Sequence, residues 1–200
     1  MSEYLDIDRT ALVVIDMQND FCHEDGIFAR RGSDVSPMPD VAAANKSLIA
    51  HFHRAGRPVF FTRMEHGPWS NTPTWKRRLD AIEEAAGGTG VCDEGTWGVE
   101  FYGVAPTDED RVMVKHRYSA FLGTPLDTYL RAAGCDGVYL SGVVTNVCVE
   151  STARDAFMRD LRTVVVEDAC AGPTRDEHDA AIHNIRTYFG AVIRTEDLPG

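Results

Sequence analysis

The sequence predicts a doubly wound α/β domain built on a parallel sheet. Three observations carry this. Short apolar runs rich in β-branched residues recur along the chain without alternation, as in strands buried on both faces. Most gaps between them hold apolar residues at helical spacing. The two kinds of segment alternate over 200 residues, a length that suits one domain with one core.

The strand runs are Thr10 to Ile15, Pro58 to Thr62, Arg111 to Val114, Gly137 to Ser141, Leu161 to Val166 and Ala191 to Arg194. A helix is predicted from Pro39 to Arg54, with Val41, Ala44, Leu48, Ile49 and Phe52 on one face and Gly56 closing it. Thr124-Pro125 opens a second, with proline in the first turn, running to Ala133 before Gly134. A third spans Val147 to Arg159, with Thr145 or Asn146 as N-cap. A fourth spans Arg175 to Phe189, closed by Gly190. The stretch from Glu65 to Pro106 holds Trp69, Trp75 and Trp97 and the Gly87-Gly88 pair. It reads as a loop excursion with a short helix at about Thr74 to Ala86, and long ordered loops often serve as lids. No repeat or second domain appears, so residues 1–200 form a single domain in this reading.

Formal net charge is -11, which excludes nucleic acid and anionic membrane as main partners. No run reaches the roughly 18 apolar residues of a membrane helix. The acidic start Met1-Ser2-Glu3 lacks a signal-peptide pattern, so a cytoplasmic location is the expectation. Five cysteines with no C-x-x-C pair point to free thiols.

Ligands of open α/β sheets bind at the carboxyl ends of strands. Asp16 ends the first strand, Lys115 ends the third, and Cys148 follows the fourth. Each alone is an ordinary residue for its position. Together they supply an acid, a cation that favours a thiolate, and a nucleophile. The start of a helix at Cys148 is expected to lower its thiol pKa.

The segments Val-Val-Ile-Asp16-Met-Gln-Asn-Asp-Phe21, Val-Lys115-His-Arg-Tyr-Ser-Ala-Phe121 and Ser-Gly-Val-Val-Thr-Asn-Val-Cys148-Val-Glu-Ser-Thr-Ala-Arg-Asp155 resemble the isochorismatase-like cysteine hydrolase superfamily. The resemblance covers nearly the whole chain. It implies a three-layer αβα sandwich with a mainly parallel six-stranded, Rossmann-like sheet, in agreement with the runs above. It also implies a catalytic triad of Asp16, Lys115 and Cys148, and a non-proline cis peptide between Val143 and Val144. The Val144 and Cys148 N–H groups would then form an oxyanion hole. Family members are commonly dimers or tetramers, so a homo-oligomer is expected.

The branch is read from details. The family's nicotinamidases carry an Asp-Trp-His metal sequence after the second strand, where this chain has Thr62-Arg-Met-Glu-His66. Glu65-His66 leaves only a weak metal reading, and the expectation is no metal and no cofactor. Isochorismatases cleave a vinyl ether without a nucleophile, whereas Cys148 argues for acyl chemistry. The Lys115 and Cys148 blocks, with Glu94-Gly-Thr-Trp-Gly98, resemble the ureidoacrylate, biuret and N-carbamoylsarcosine amidohydrolase group. The expectation is a cysteine amidohydrolase acting through a thioester on a small linear amide or ureido compound. Phe21, Trp69 and Tyr118 are the expected pocket lining, and Arg63 and Arg117 the candidate holders of a substrate carboxylate. Vinyl-ether hydrolysis, nicotinamidase activity and a non-catalytic role stand as alternatives.

Overall fold

The computed structural model describes residues 4–85 and 90–198. The strands are β1 (Thr10–Ile15), β2 (Val59–Met64), β3 (Arg111–Lys115), β4 (Gly137–Val143), β5 (Arg162–Ala171) and β6 (Ala191–Ile193). They form one sheet in the order β3-β2-β1-β4-β5-β6, every pair parallel. The helices are α1 (Asn19–Cys22), α2 (Ile27–Arg30), α3 (Met38–Arg54), α4 (Pro73–Ala85), α5 (Leu126–Ala132), α6 (Glu150–Phe157) and α7 (Arg175–Tyr188).

Helices cover both faces of the sheet. Phe52 of α3 meets Tyr139 of β4 at 5.2 Å between ring centroids, and Tyr139 shares its face with Leu12 and Val59 through the strand register. The adjacent Phe60 points the other way and stacks on Tyr129 of α5 at 6.1 Å. Strand side chains alternate between faces, so α3 and α5 lie in opposite layers of the expected sandwich. The parallel crossovers of β1 to β3 run outward one way and those of β4 to β6 the other. The reversal falls between β1 and β4, where such sheets open a crevice.

Several boundaries differ from the sequence reading. β5 continues five residues past Val166, through Glu167 and Asp168, whose charge hid the extension. Glu167 is paired with Arg186 and Arg194, and Asp168 accepts from Thr195. β3 is an edge strand with Val112 and Val114 exposed, not buried on both faces, because it has a neighbour on one side only. The helix expected from Val147 starts earlier, as a π-helical turn over Thr145–Val149 that leads into α6. Neither Thr145 nor Asn146 caps it, since Val144 occupies the cap position. The expected short helix in the excursion is α4, while Gly87-Gly88 lies outside the described residues. No helix among the described residues is long and apolar enough to cross a membrane.

Candidate active site

Asp16 sits one residue past β1 with φ of 49°, a conformation that costs a non-glycine residue energy and marks a constrained position. Next to it, Gly142 of β4 has φ of +104°, and a Cβ there would lie 2.0 Å from the Ile15 carbonyl oxygen. Only glycine lets β4 approach β1 this closely, and that approach delivers the segment carrying Cys148 to Asp16. The Val143–Val144 peptide is cis.

Lys115 reaches the same point from β3. Two interstrand steps, about 10 Å, separate β3 from β1, and the long lysine stem spans β2 to cover them. Its ammonium lies 2.6 Å from Asp16 Oδ2 and donates to the Arg117 carbonyl at 3.1 Å and to Cys148 Sγ at 3.4 Å. Three donors thus have three partners. Thr62, on the intervening β2, donates to Asp16 Oδ1 at 2.7 Å. The three residues predicted from strand ends therefore meet, and all are buried.

The electrostatics correct one expectation. Burial is the largest influence on the Cys148 thiol; it outweighs the attraction of Lys115, and the Asp16 charge works with it, pushing the pKa up to about 12. Burial thus works against the thiolate that a helix start alone would favour. For Lys115, burial opposes the charge, but Asp16 and Cys148 together outweigh it and hold the ammonium above its ordinary range.

The surrounding bonds show why the motif blocks belong together. The Val144 carbonyl accepts from the Val147 and Val149 N–H groups and passes over Cys148 between them. That is the wide spacing of a π turn. Thr145 Oγ1 lies 2.8 Å from His178 Nδ1 on α7. Thr152 donates to the Cys148 carbonyl at 2.7 Å and accepts from the Ala120 N–H at 3.0 Å. Ser119 donates to Asp155 at 2.5 Å. The segment after β3 is in this way stitched to α6. Gln18 bonds the backbone of Met64 and Val99, tying β1's exit to β2 and to the excursion.

The expected lining residues divide. Tyr118 is half-buried; burial chiefly, then the Cys148 charge, raises its hydroxyl pKa, so it borders the sulfur's surroundings. Phe21 is buried, edge-on to Phe28 at 5.0 Å. Trp69 does not fit the expectation. It is 99% exposed, standing out from the turn after Gly67. The tryptophan that packs near the site is Trp75, 4.9 Å from Tyr118 and 6.1 Å from His66 between ring centroids. Arg63 pairs with Glu65 at 2.5 Å, while its Nε is buried without a hydrogen-bond partner. Arg117 lies over Trp75 at 4.5 Å and donates to the Ser70 carbonyl. Sequence reasoning missed Thr62 and His178, and gave Thr145, His66 and Trp75 other places: a helix cap, a weak metal reading and the loop excursion. Among the described residues no three His, Cys, Asp or Glu side chains converge to hold a metal ion.

Comparisons with known proteins agree with this architecture. A profile described as "Isochorismatase domain" matches residues 10–197. A protein named ureidoacrylate amidohydrolase RutB from Methylobacterium radiotolerans is 36% identical over 201 residues, covering 94% of this chain and 77% of that protein. The structure of a cysteine hydrolase from Pseudomonas syringae superposes with a TM-score of 0.81 at 28% identity, covering 97% of this chain and 91% of the other. That of N-carbamoylsarcosine amidase from Thermoplasma acidophilum superposes with a TM-score of 0.73 at 33% identity, covering 96% and 99%.

Proposed function

The chain belongs to the isochorismatase family of hydrolases, and from that premise we propose that it is a cysteine amidohydrolase of small linear amide or ureido compounds. The observation that carries this reading is the buried cluster of Asp16, Lys115 and Cys148. Its relatives' names, ureidoacrylate amidohydrolase and N-carbamoylsarcosine amidase, support a ureido or carbamoyl substrate.

In the proposed reaction the Cys148 proton passes to Asp16 as the sulfur attacks the substrate carbonyl carbon. A thiol pKa raised by burial fits this order, because proton removal and attack then coincide. The carbonyl π pair moves onto oxygen, and the Val144 and Cys148 N–H groups receive the oxyanion. Its collapse breaks the C–N bond, and the proton held by Asp16 goes to the leaving ammonia or amine. Water then attacks the thioester and gives its proton to Asp16. The C–S bond breaks and the proton returns to sulfur. Lys115 compensates the negative charge as it moves between Asp16, sulfur and the oxyanion. No cofactor enters this scheme. Five free cysteines suit a reducing, cytoplasmic setting, and self-association into a dimer or tetramer belongs to the same proposal.

The test is ammonia release from a panel of small amides and ureido acids by wild type and Cys148→Ala after exhaustive chelation. Release that survives chelation and disappears in Cys148→Ala is the expected result. Release that needs added metal, or that persists without the thiol, overturns the reading.

A further inference from the structure

Asp16 holds a left-handed backbone angle, φ of 49°, which a non-glycine residue keeps only where its surroundings over-determine it. The bonds that fix it run through Gln18. The Asp16 N–H donates to the Thr62 carbonyl of β2 at 3.2 Å, and the Asp16 carbonyl accepts from the Gln18 N–H at 2.7 Å. The turn around Met17 is therefore as firm as Gln18 itself.

Gln18 is fully buried, and its side-chain amide reaches two other segments. Nε2 donates to the Met64 carbonyl at 2.9 Å and to the Val99 carbonyl at 3.1 Å, and Oε1 accepts from the Met64 N–H at 2.7 Å. Beside Met64 the amide takes the place of a backbone peptide in one more strand. Met64 ends β2 and is the register partner of Lys115. Val99 lies on the returning limb of the excursion, which pairs antiparallel with Gln18 at Phe101. Neighbouring bonds fasten the same limb to the same turn. The Met17 carbonyl accepts from the Tyr102 N–H at 2.8 Å, and the Asn19 N–H donates to the Glu100 carbonyl at 2.9 Å. Asp20 Oδ2 accepts from the Cys92 N–H at 2.7 Å. A Cβ on Gly98 would lie 2.1 Å from that oxygen, so the limb closes on the turn only with glycine there.

We propose that Gln18 is a positioning residue for the reaction: its amide locks the turn that presents Asp16 to the strand end that presents Lys115, and so sets the geometry of that pair around Cys148. The inference rests on the amidohydrolase reading, in which Asp16 moves the proton. An uncharged amide suits the task, because it donates twice and accepts once without adding charge two residues from Asp16. A carboxylate of the same shape would lose both donors. Released from Gln18, the turn is free to relax out of the left-handed region and carry the base away from sulfur.

The test uses the full chain as wild type, Gln18→Glu, Gln18→Met and, as a control at the far end of β1, Thr10→Val. Gln18→Glu keeps the shape and loses the donors, and Gln18→Met loses all three bonds. Thr10→Val removes a buried bond to the Ile7 carbonyl and leaves the turn untouched. On the best substrate of the amide and ureido panel, each Gln18 variant should lose at least about tenfold in kcat, the effect of a small misplacement of a reacting group, with KM within about twofold of wild type. Thr10→Val should lose stability and keep kcat within about twofold of wild type. A smaller kcat loss in either folded Gln18 variant, a loss confined to KM, or an equal kcat loss in Thr10→Val overturns the proposal. Failure of both Gln18 variants to fold also overturns it, since Gln18 would then serve the fold alone. If wild type cleaves no member of the panel, the amidohydrolase reading fails by itself, and a crystal structure of Gln18→Met decides the positioning separately. Asp16 outside the left-handed region, with its contact to Lys115 opened beyond hydrogen-bond distance, upholds it, and an unchanged turn and contact overturn it.

Discussion

Asp16 and Lys115 are held 2.6 Å apart with neither side chain exposed to water. Such a pair contributes little net stability, but removing one member leaves an uncompensated buried charge. Lys115→Met should therefore destabilise the fold by about 3–5 kcal/mol and abolish turnover. Urea denaturation with a parallel activity assay checks both. A variant within about 1 kcal/mol of wild type would show that water already reaches the pair.

Thr62 donates to Asp16 Oδ1 from the neighbouring strand. Thr62→Val keeps the shape and removes the donor. It should cost about 1–3 kcal/mol of stability and, on the proposed mechanism, lower kcat about tenfold by freeing the base to turn. Unchanged kcat would mean that Lys115 alone orients Asp16.

Alkaline pH should weaken the fold. Burial, the leading cause in each case, raises the thiol pKa of Cys22, Cys92, Cys135, Cys148 and Cys170. A raised folded pKa gives stability that is complete below the unfolded value of about 9 and is lost as pH rises towards the folded value. For Cys148 that window runs from about 9 to about 12. Each such thiol removes up to about 1.4 kcal/mol per pH unit there. Denaturation midpoints at pH 8, 9, 10 and 11 should fall progressively, and a flat profile would contradict the burial of these sulfurs.

Thr145 and His178 should behave as one unit behind the Cys148 turn. In a double-mutant cycle with Thr145→Val and His178→Phe, the second change should add little to the first, with a coupling of about 1 kcal/mol. Steady-state kinetics should show kcat falling more than KM. Additive effects would mean that the 2.8 Å contact does not position the turn.

The sheet and the three strand-end residues were readable because both depend on local pattern. Apolar β-branched runs mark buried parallel strands, and the residue after such a run must sit at the sheet's edge. What stayed hidden depends on contacts between distant segments. Trp69 and Trp75 look equivalent in sequence, yet the first stands in solvent and the second packs on Tyr118, because α4 begins between them at Pro73. The Cys148 pKa could not be inferred from a helix start, since burial by the surrounding elements outweighs it. Thr145 looks like an N-cap until α7 brings His178 against it. Glu167 and Asp168 look like a strand's end until Arg186, Arg194 and Thr195 arrive to bind them.

The strand order also governs how the protein is made. β1 is central in the sheet, yet its partners begin at Val59 and Gly137, so on a ribosome it emerges long before its second neighbour. At about 5–20 residues per second, the intervening stretch delays β4 by on the order of 10 seconds. Through that interval one side of an apolar strand is unpaired, a state that invites aggregation. Such distant pairings also make folding intrinsically slow. Because Asp16, Lys115 and Cys148 come from three separate strand exits, enzymatic turnover would appear only when the last of them docks. A time course of activity during refolding would then clock the docking of β3 and β4 around β1.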